Sequence, residues 1–282
     1  MVDSRRLGRY GVWVSVREVT PELAATAERV GFGTLWVGSA PGDDMHGLDP
    51  LFEATSTLVV ATGIVNIWQA DPEATARGFH RLQEAHGDRF LLGIGTGHRE
   101  ATQEYRKPFE AISEFVAATK AAGVPADGLV LAALGPRVMR LARDETSGAH
   151  PYLVTPEHTA QAREILGAGP LLAPEQKVVL DTDAARARDL GRSRVDDPYL
   201  HLENYLNNLR RLGWSEADIA SPGSDRLIDA LVAHGDDATV RAGLDAHLDA
   251  GADHVAAQVL TGPGGDLAAD YERLAAALGL GA

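Results

Sequence analysis

The chain has 282 residues, a formal net charge of −14, 45% hydrophobic residues and no cysteine. This length can bury one large core, and by itself it makes one domain as plausible as two. Because no linker marks a second domain, we expect a single domain over residues 1–282. The lack of cysteine excludes disulfides, thiolate metal ligands and a cysteine nucleophile. The acidic balance argues against a nucleic-acid partner, because no basic stripe is available to neutralise phosphates.

The amino-terminal segment predicts neither export nor membrane insertion. Arg5, Arg6 and Arg9 are followed only by the short apolar run 11–16, and no small-residue cleavage site comes after it. All apolar runs are much shorter than the ~20 residues that a membrane helix needs. We therefore expect a soluble cytoplasmic protein.

Short β-branched or aromatic runs alternate with segments of helical period along the chain. The predicted strands lie at 10–16, 34–38, 62–68, 90–97, 129–134, 149–154, 176–180 and 254–260. Helices are predicted at 21–30, 49–61, 72–89, 109–122 and 136–144, with another beginning at Pro156. Residues 184–236 are punctuated into several further helices.

This alternation of eight strands with helices is typical of the α/β class and of its (β/α)8 TIM barrel, with extra helices between strands seven and eight. A doubly wound open sheet is the alternative. In a barrel the active site lies at the carboxyl ends of the strands, so residues that end a strand are the candidates for function.

Predicted strand four ends in the glycine-rich stretch 93–97, followed by His98. A dinucleotide fingerprint is disfavoured, because the third glycine is misplaced and no acidic residue follows at the required distance. Bare backbone at a strand end instead lets N–H groups approach a flat ring or an anion. His98 would stand at the barrel mouth and is a candidate catalytic residue, although an isolated histidine can equally be a surface residue.

Gly135-Pro136-Arg137 combines a strand end, a helix start and a basic side chain. Free N–H groups and the helix dipole favour a phosphate there, and a simple helix start with a solvated arginine is the alternative. Among the tryptophans, we expect Trp13 and Trp36 to fill the barrel and Trp68 to form a wall for a planar cofactor. The histidine and carboxylates of loop 39–48 lack metal-ligand spacing, so no metal site is predicted.

Several stretches, in this order, resemble the bacterial luciferase-like superfamily and its flavin- and deazaflavin-dependent oxidoreductases. They are most similar to an actinobacterial subgroup described as probable coenzyme F420-dependent oxidoreductases. The stretches that carry the resemblance are 31–38, 61–68, 89–97, 131–137, 148–158 and 250–255.

The resemblance implies hydride transfer between coenzyme F420 and a small organic substrate, by a homodimer. It places a cis peptide bond at Gly63-Ile64 behind the cofactor ring, and ring contacts at Asn66 and at the Thr96-Gly97 backbone. The phosphate tail would lie along Leu134-Gly135. His98 would stand where related sugar-phosphate dehydrogenases have a carboxylate acid.

One departure from the family pattern keeps alternatives open. Many members have an acidic residue and a histidine at the end of strand two, where this chain has Ser39-Ala40. A non-catalytic flavin-binding paralogue therefore remains an alternative, as does an FMN-dependent luciferase-like monooxygenase. The sequence identifies neither the substrate nor the direction of hydride transfer.

Overall fold

A computed structural model describes residues 4–39, 41–97 and 107–281. Within them, parallel strands form one curled sheet. The strands are β1 Tyr10–Ser15, β2 Thr34–Gly38, β3 Val59–Gly63, β4 Val65–Asn66, β5 Phe90–Gly95, β6 Leu129–Leu131, β7 Gly148–Ala149, β8 Leu171–Leu172, β9 Glu175–Val179, β10 Val232–His234 and β11 Val255–Val259. Their order in the sheet is β10-β9-β11-β1-β2-β3-β5-β6-β7-β8, and β4 pairs with β5.

The sheet closes on itself where β8 continues into β9. Only Ala173 and Pro174 separate the two strands. On one side, the Ala173 N–H donates to the Ala149 carbonyl, and on the other the Ala256 N–H donates to the Pro174 carbonyl. Because β8 pairs with β7 and β9 pairs with β11, the ring of strands is continuous. The predicted TIM-barrel fold is confirmed.

Helices cover the outside of this barrel. They are α1 Pro21–Arg29, α2 Asp49–Glu53, α3 Pro72–His86, α4 Pro108–Ala121, α5 Pro136–Glu145, α6 Pro156–Leu166, α7 Ala184–Asp196, α8 Glu203–Arg211, α9 Glu216–Ile219, α10 Asp225–Leu231, α11 Asp237–Asp249 and α12 Leu267–Leu278. The helices α7 to α10 lie between β9 and β11 along the chain. This confirms the extra helices that were predicted in the last connection.

The helix predicted over 49–61 is wrong beyond Glu53. The carboxylate of Glu28 accepts hydrogen bonds from the backbone N–H groups of residues 56–58 and fixes a turn there. The β-branched pair Val59-Val60 then begins β3, where it is fully buried. A tertiary contact from a distant helix thus overrides the local helical period.

The strands predicted at 129–134 and 149–154 are also too long, since β6 ends at Leu131 and β7 ends at Ala149. Beyond β7, Pro151 has no N–H for a strand ladder, and Leu153 has a positive φ of 54°. The short strands β8 and β10 were not predicted. They contain only two and three residues, too few to produce a periodic pattern.

A stack of buried aromatic and imidazole rings crosses the barrel interior. The rings of Trp36 and His150 lie parallel, with centroids 3.9 Å apart. Trp36 Nε1 donates to His254 Nε2 at 3.0 Å, and His254 Nδ1 donates to the Gly8 carbonyl at 2.8 Å. Trp36, His150 and His254 are each at most 1% exposed. The stack thus ties β2 to the segments that flank β7 and β11.

We expect the free energy of unfolding to decrease as the pH is lowered from about 6.5. Burial lowers the pKa of His150 to about 3, and those of His247 and His254 to about 4. Below the ordinary histidine pKa the unfolded chain therefore binds more protons than the folded one, and stability is lost as the pH falls towards 4. Urea unfolding at pH 7.5 and 5.0 measures this loss. A His247→Gln variant should have a shallower pH dependence, and equal stability of the native chain at both pH values would contradict the prediction.

Candidate active site

Most of the predicted cofactor residues meet at one end of the barrel. A cavity of about 700 Å³ opens at the carboxyl ends of β3 to β6. This is where barrel enzymes carry their active sites, and the volume suits a small molecule. The predicted residues that line the cavity are Gly63, Ile64, Asn66, Thr96, Gly97, Leu134 and Gly135.

Two glycines keep the backbone beside this cavity free of side chains. The peptide bond between Gly63 and Ile64 is cis, at the position that the resemblance implied. Gly97 follows β5 with a φ of +53°, and a Cβ atom there would lie 2.6 Å from Asn66 Nδ2. Asn66 is itself held in place, because its Oδ1 accepts the Trp68 N–H at 3.1 Å. The result is a bare surface that a flat ring can approach.

The start of α5 adjoins this surface. Gly135 is the N-cap residue of that helix, and no side chain caps it. In the described part of the chain, no atom lies within 4 Å of the position that a Cβ on Gly135 would occupy, so there is space for a side chain beside this residue. Arg211 lines the same cavity, and its guanidinium donates to the Leu134 carbonyl at 3.0 Å. A helix N-terminus with a neighbouring cation favours a phosphate.

Three predicted cofactor residues lie outside the cavity lining. Trp68 packs against the hydrophobic core, and Pro136 is the first residue of α5. The guanidinium of Arg137 lies 3.7 Å from the centre of the Phe109 ring, and that ring lines the cavity. Arg137 therefore reaches the cavity only through Phe109. His98, the predicted catalytic residue, lies outside the described residues.

A second cavity, of about 790 Å³, adjoins the first. Trp13, which was expected only to fill the barrel, lines both of them. Part of the shared lining comes from the long connection between β9 and β11, whose approach to the barrel mouth no sequence pattern reveals. The residues common to both cavities are Trp13, Arg17, Ser39, Tyr152, Pro198 and Tyr199.

Two buried nitrogen atoms beside the first cavity, Trp13 Nε1 and His150 Nε2, have no hydrogen-bond partner among the residues that the structure describes. His150 Nδ1 donates to the Ala173 carbonyl at 2.6 Å, so Nδ1 carries the proton and Nε2 is left as an acceptor. Burial lowers the pKa of His150 to about 3, which keeps the ring neutral at pH 7. A Cβ on Gly63 would lie 2.8 Å from Trp13 Nε1 and 3.2 Å from His150 Nε2. A donor and an acceptor therefore converge beside Gly63.

A buried ion pair borders the second cavity. Lys177 Nζ donates to Glu175 Oε1 at 3.1 Å, to the Tyr152 hydroxyl at 2.9 Å and to Gln258 Oε1 at 3.0 Å. The Tyr152 hydroxyl donates in turn to Gln258 Oε1 at 2.7 Å. Burial lowers the pKa of Lys177, while the Glu175 carboxylate partly opposes this shift. Since all three ammonium protons are used, this network positions Tyr152 and Gln258.

Ser39 stands at the end of β2, where the family pattern has an acidic residue. It has a φ of +62° and its hydroxyl accepts a hydrogen bond from Ser15 at 3.0 Å. Ala40, the second departure, lies outside the described residues. In the described part of the chain, no group of histidine and carboxylate side chains is placed to hold a metal ion. Within the same ranges, no helix has the length and apolarity to cross a bilayer.

Comparison with known proteins gives a partial sequence match. The family model of luciferase-like monooxygenases matches residues 15–123. No curated protein matches the chain. The structural likeness to solved proteins extends over almost the whole chain.

An F420-dependent secondary alcohol dehydrogenase, solved with an F420-acetone adduct, has a TM-score of 0.75 at 15% identity, over 96% of this chain and 98% of its own. The coenzyme F420-dependent tetrahydromethanopterin reductase of Methanopyrus kandleri has a TM-score of 0.67 at 17% identity, over 95% and 97%. The oxygenating constituent of 3,6-diketocamphane monooxygenase from Pseudomonas putida, solved with FMN, has a TM-score of 0.64 at 14% identity, over 96% of both chains. The family match and this shared fold together confirm the resemblance to the luciferase-like superfamily.

Proposed function

We propose that the protein is an oxidoreductase that transfers a hydride between coenzyme F420 and a small organic substrate. The cavity at the carboxyl ends of β3 to β6 carries the proposal, because it joins a bare backbone surface to an anion site at α5. The structural similarity to two F420-dependent enzymes supports the deazaflavin as the cofactor.

The residues that line the cavity fit such a cofactor. Gly63-Ile64, Asn66 and Thr96-Gly97 would hold the ring, and Leu134-Gly135 with Arg211 would hold the phosphate. The cofactor, when bound, supplies the hydride chemistry. The chain orients two planar reactants and excludes water from between them. His98 remains our candidate for proton transfer to or from the substrate.

Reduced-flavin chemistry with oxygen is the second candidate, and the similarity to an FMN-containing monooxygenase favours it. Fluorescence titration of the purified protein with F420 and with FMN, together with oxygen uptake, separates the candidates. Tight binding of F420 without oxygen uptake supports the proposal, and FMN preference with oxygen uptake supports a monooxygenase. Cofactor binding without turnover across substrate panels would support a non-catalytic paralogue. We consider this alternative because Ser39 stands where the family pattern has an acidic residue.

We expect Gly135→Asp to weaken cofactor binding about tenfold or more, because the new carboxylate faces the phosphate. Gly135→Asn is the matched control, since asparagine has nearly the same shape and caps a helix equally well without charge. Both variants should keep or gain thermal stability, because the site has space for a side chain. Cofactor titrations of the two variants side by side measure the effect. Equal affinities would show that the cofactor phosphate does not bind at the start of α5.

We expect Gly97→Ala to destabilise the protein and to weaken cofactor binding. Its Cβ would lie 2.6 Å from Asn66 Nδ2, so Asn66 must move and lose its bond to the Trp68 N–H. Gly279→Ala is the control, because it shares a positive φ of 71° but its Cβ would meet no atom nearer than 3.8 Å. The control should cost about 1 kcal/mol of unfolding free energy and leave binding unchanged. Denaturant titration and cofactor titration of both variants test this, and unchanged binding by Gly97→Ala would exclude Asn66 from the cofactor site.

A further inference from the structure

We propose that Trp13 and His150 form a two-point binding site for a hydroxyl group of the substrate. This rests on the proposed function, because it puts that hydroxyl next to the Gly63-Ile64 backbone where the cofactor ring would lie. Two unpartnered nitrogen atoms, on residues that are 6% and 1% exposed, carry the argument.

The chemistry of the two nitrogens selects the ligand group. Trp13 Nε1 can only donate, and His150 Nε2 can only accept, because Nδ1 of the same ring donates to the Ala173 carbonyl. A carbonyl or a carboxylate would leave His150 unsatisfied, and an ammonium group would leave Trp13 unsatisfied. A hydroxyl accepts and donates at one oxygen atom, so it satisfies both nitrogens. An unpaired buried polar group is costly, which makes such a ligand favourable.

Packing holds both nitrogens in place before any ligand binds. The Trp13 ring lies directly on Gly38, where a Cβ would come within 1.7 Å of its Cζ2 atom. The His150 ring is stacked on Trp36. The Cβ position of Gly63 lies 2.8 Å from Trp13 Nε1 and 3.2 Å from His150 Nε2, so the two nitrogens are at most 6.0 Å apart. The backbone of Gly63 keeps a ligand oxygen out of that point itself, but one oxygen atom placed between the nitrogens and farther from the backbone can bond to both. Such preorganisation raises affinity, since little side-chain entropy is lost on binding.

Trp13 and His150 lie between the two cavities, so the substrate and the cofactor would occupy different sides of this pair. His150 lines the first cavity only, whereas Trp13 lines both cavities. A group held between them lies at the junction, with the ring-binding backbone on one side and the second cavity on the other. The remainder of the substrate would extend into the second cavity, beside Tyr152 and Gln258.

The indole N–H resonances of 15N-labelled protein test the proposal directly. The chain has four tryptophans, and a Trp13→Phe variant assigns the signal of Trp13. The probes are cyclohexanol and cyclohexanone, which are matched in size although only the alcohol can donate to His150. They are added to the protein with and without F420. We expect cyclohexanol to shift the Trp13 signal and to bind about three- to tenfold more tightly than cyclohexanone.

The Trp13→Phe variant should lose this preference for the alcohol. Trp214→Phe is the control, because Trp214 packs under Arg226 and lines neither cavity. A Trp13 signal that shifts with F420 or FMN but not with cyclohexanol would overturn the proposal and assign the pair to the edge of the cofactor ring. No shift with any ligand would overturn it in favour of a bound water. If neither cofactor binds while cyclohexanol still shifts the signal, the hydroxyl site stands and the proposed function fails.

Discussion

Closure of the strand ring is the constraint on which the candidate site depends. The pairing of β11 with both β9 and β1 fixes the register of the last strand, with Tyr10 opposite Val255. That register sets His254 against Trp36, whose ring is stacked on that of His150. Since side chains alternate between the two faces of a strand, a slip of one residue would turn inward groups outward. The polar interior therefore exists only in the closed barrel.

Buried polar groups of the barrel interior hold the side chains that line the two cavities at the barrel mouth. His150 lines the first cavity, donates from Nδ1 to the Ala173 carbonyl of the barrel wall, and keeps a buried Nε2 that has no partner among the described residues. Lys177 and Glu175 in the same way hold Tyr152 and Gln258 at the border of the second cavity. Breaking such a buried ion pair by removing one partner is usually strongly destabilising. The groups that face the cavities are thus anchored to rigid strands, which favours precise positioning.

The fold and the bare-backbone part of the site were predictable because glycine and polar residues mark the strand ends. Thr96-Gly97 and Gly135 follow apolar runs, whereas Gly63 and Leu134 were implied by the family resemblance, and all of them line the first cavity. The proximity of Trp13 and His150 was not predictable, because it depends on how distant strands pack together. Whether a nitrogen lacks a hydrogen-bond partner also depends on these tertiary contacts. The error over residues 49–61 has a similar cause, since Glu28 ends the helix through contacts that local sequence does not encode.

The pairing of β1 with β11 has a consequence for how the chain reaches this structure. Tyr10 and Val255 are separated by most of the sequence, so the ring can close only after nearly all of the chain is available. Contacts of such long sequence separation slow folding, because loop-closure entropy is lost before they form. During synthesis one edge of β1 stays unpaired until β11 is made, and an unpaired strand edge favours aggregation. Aggregation and wrong strand pairing are therefore most favoured just before β11 pairs with β1.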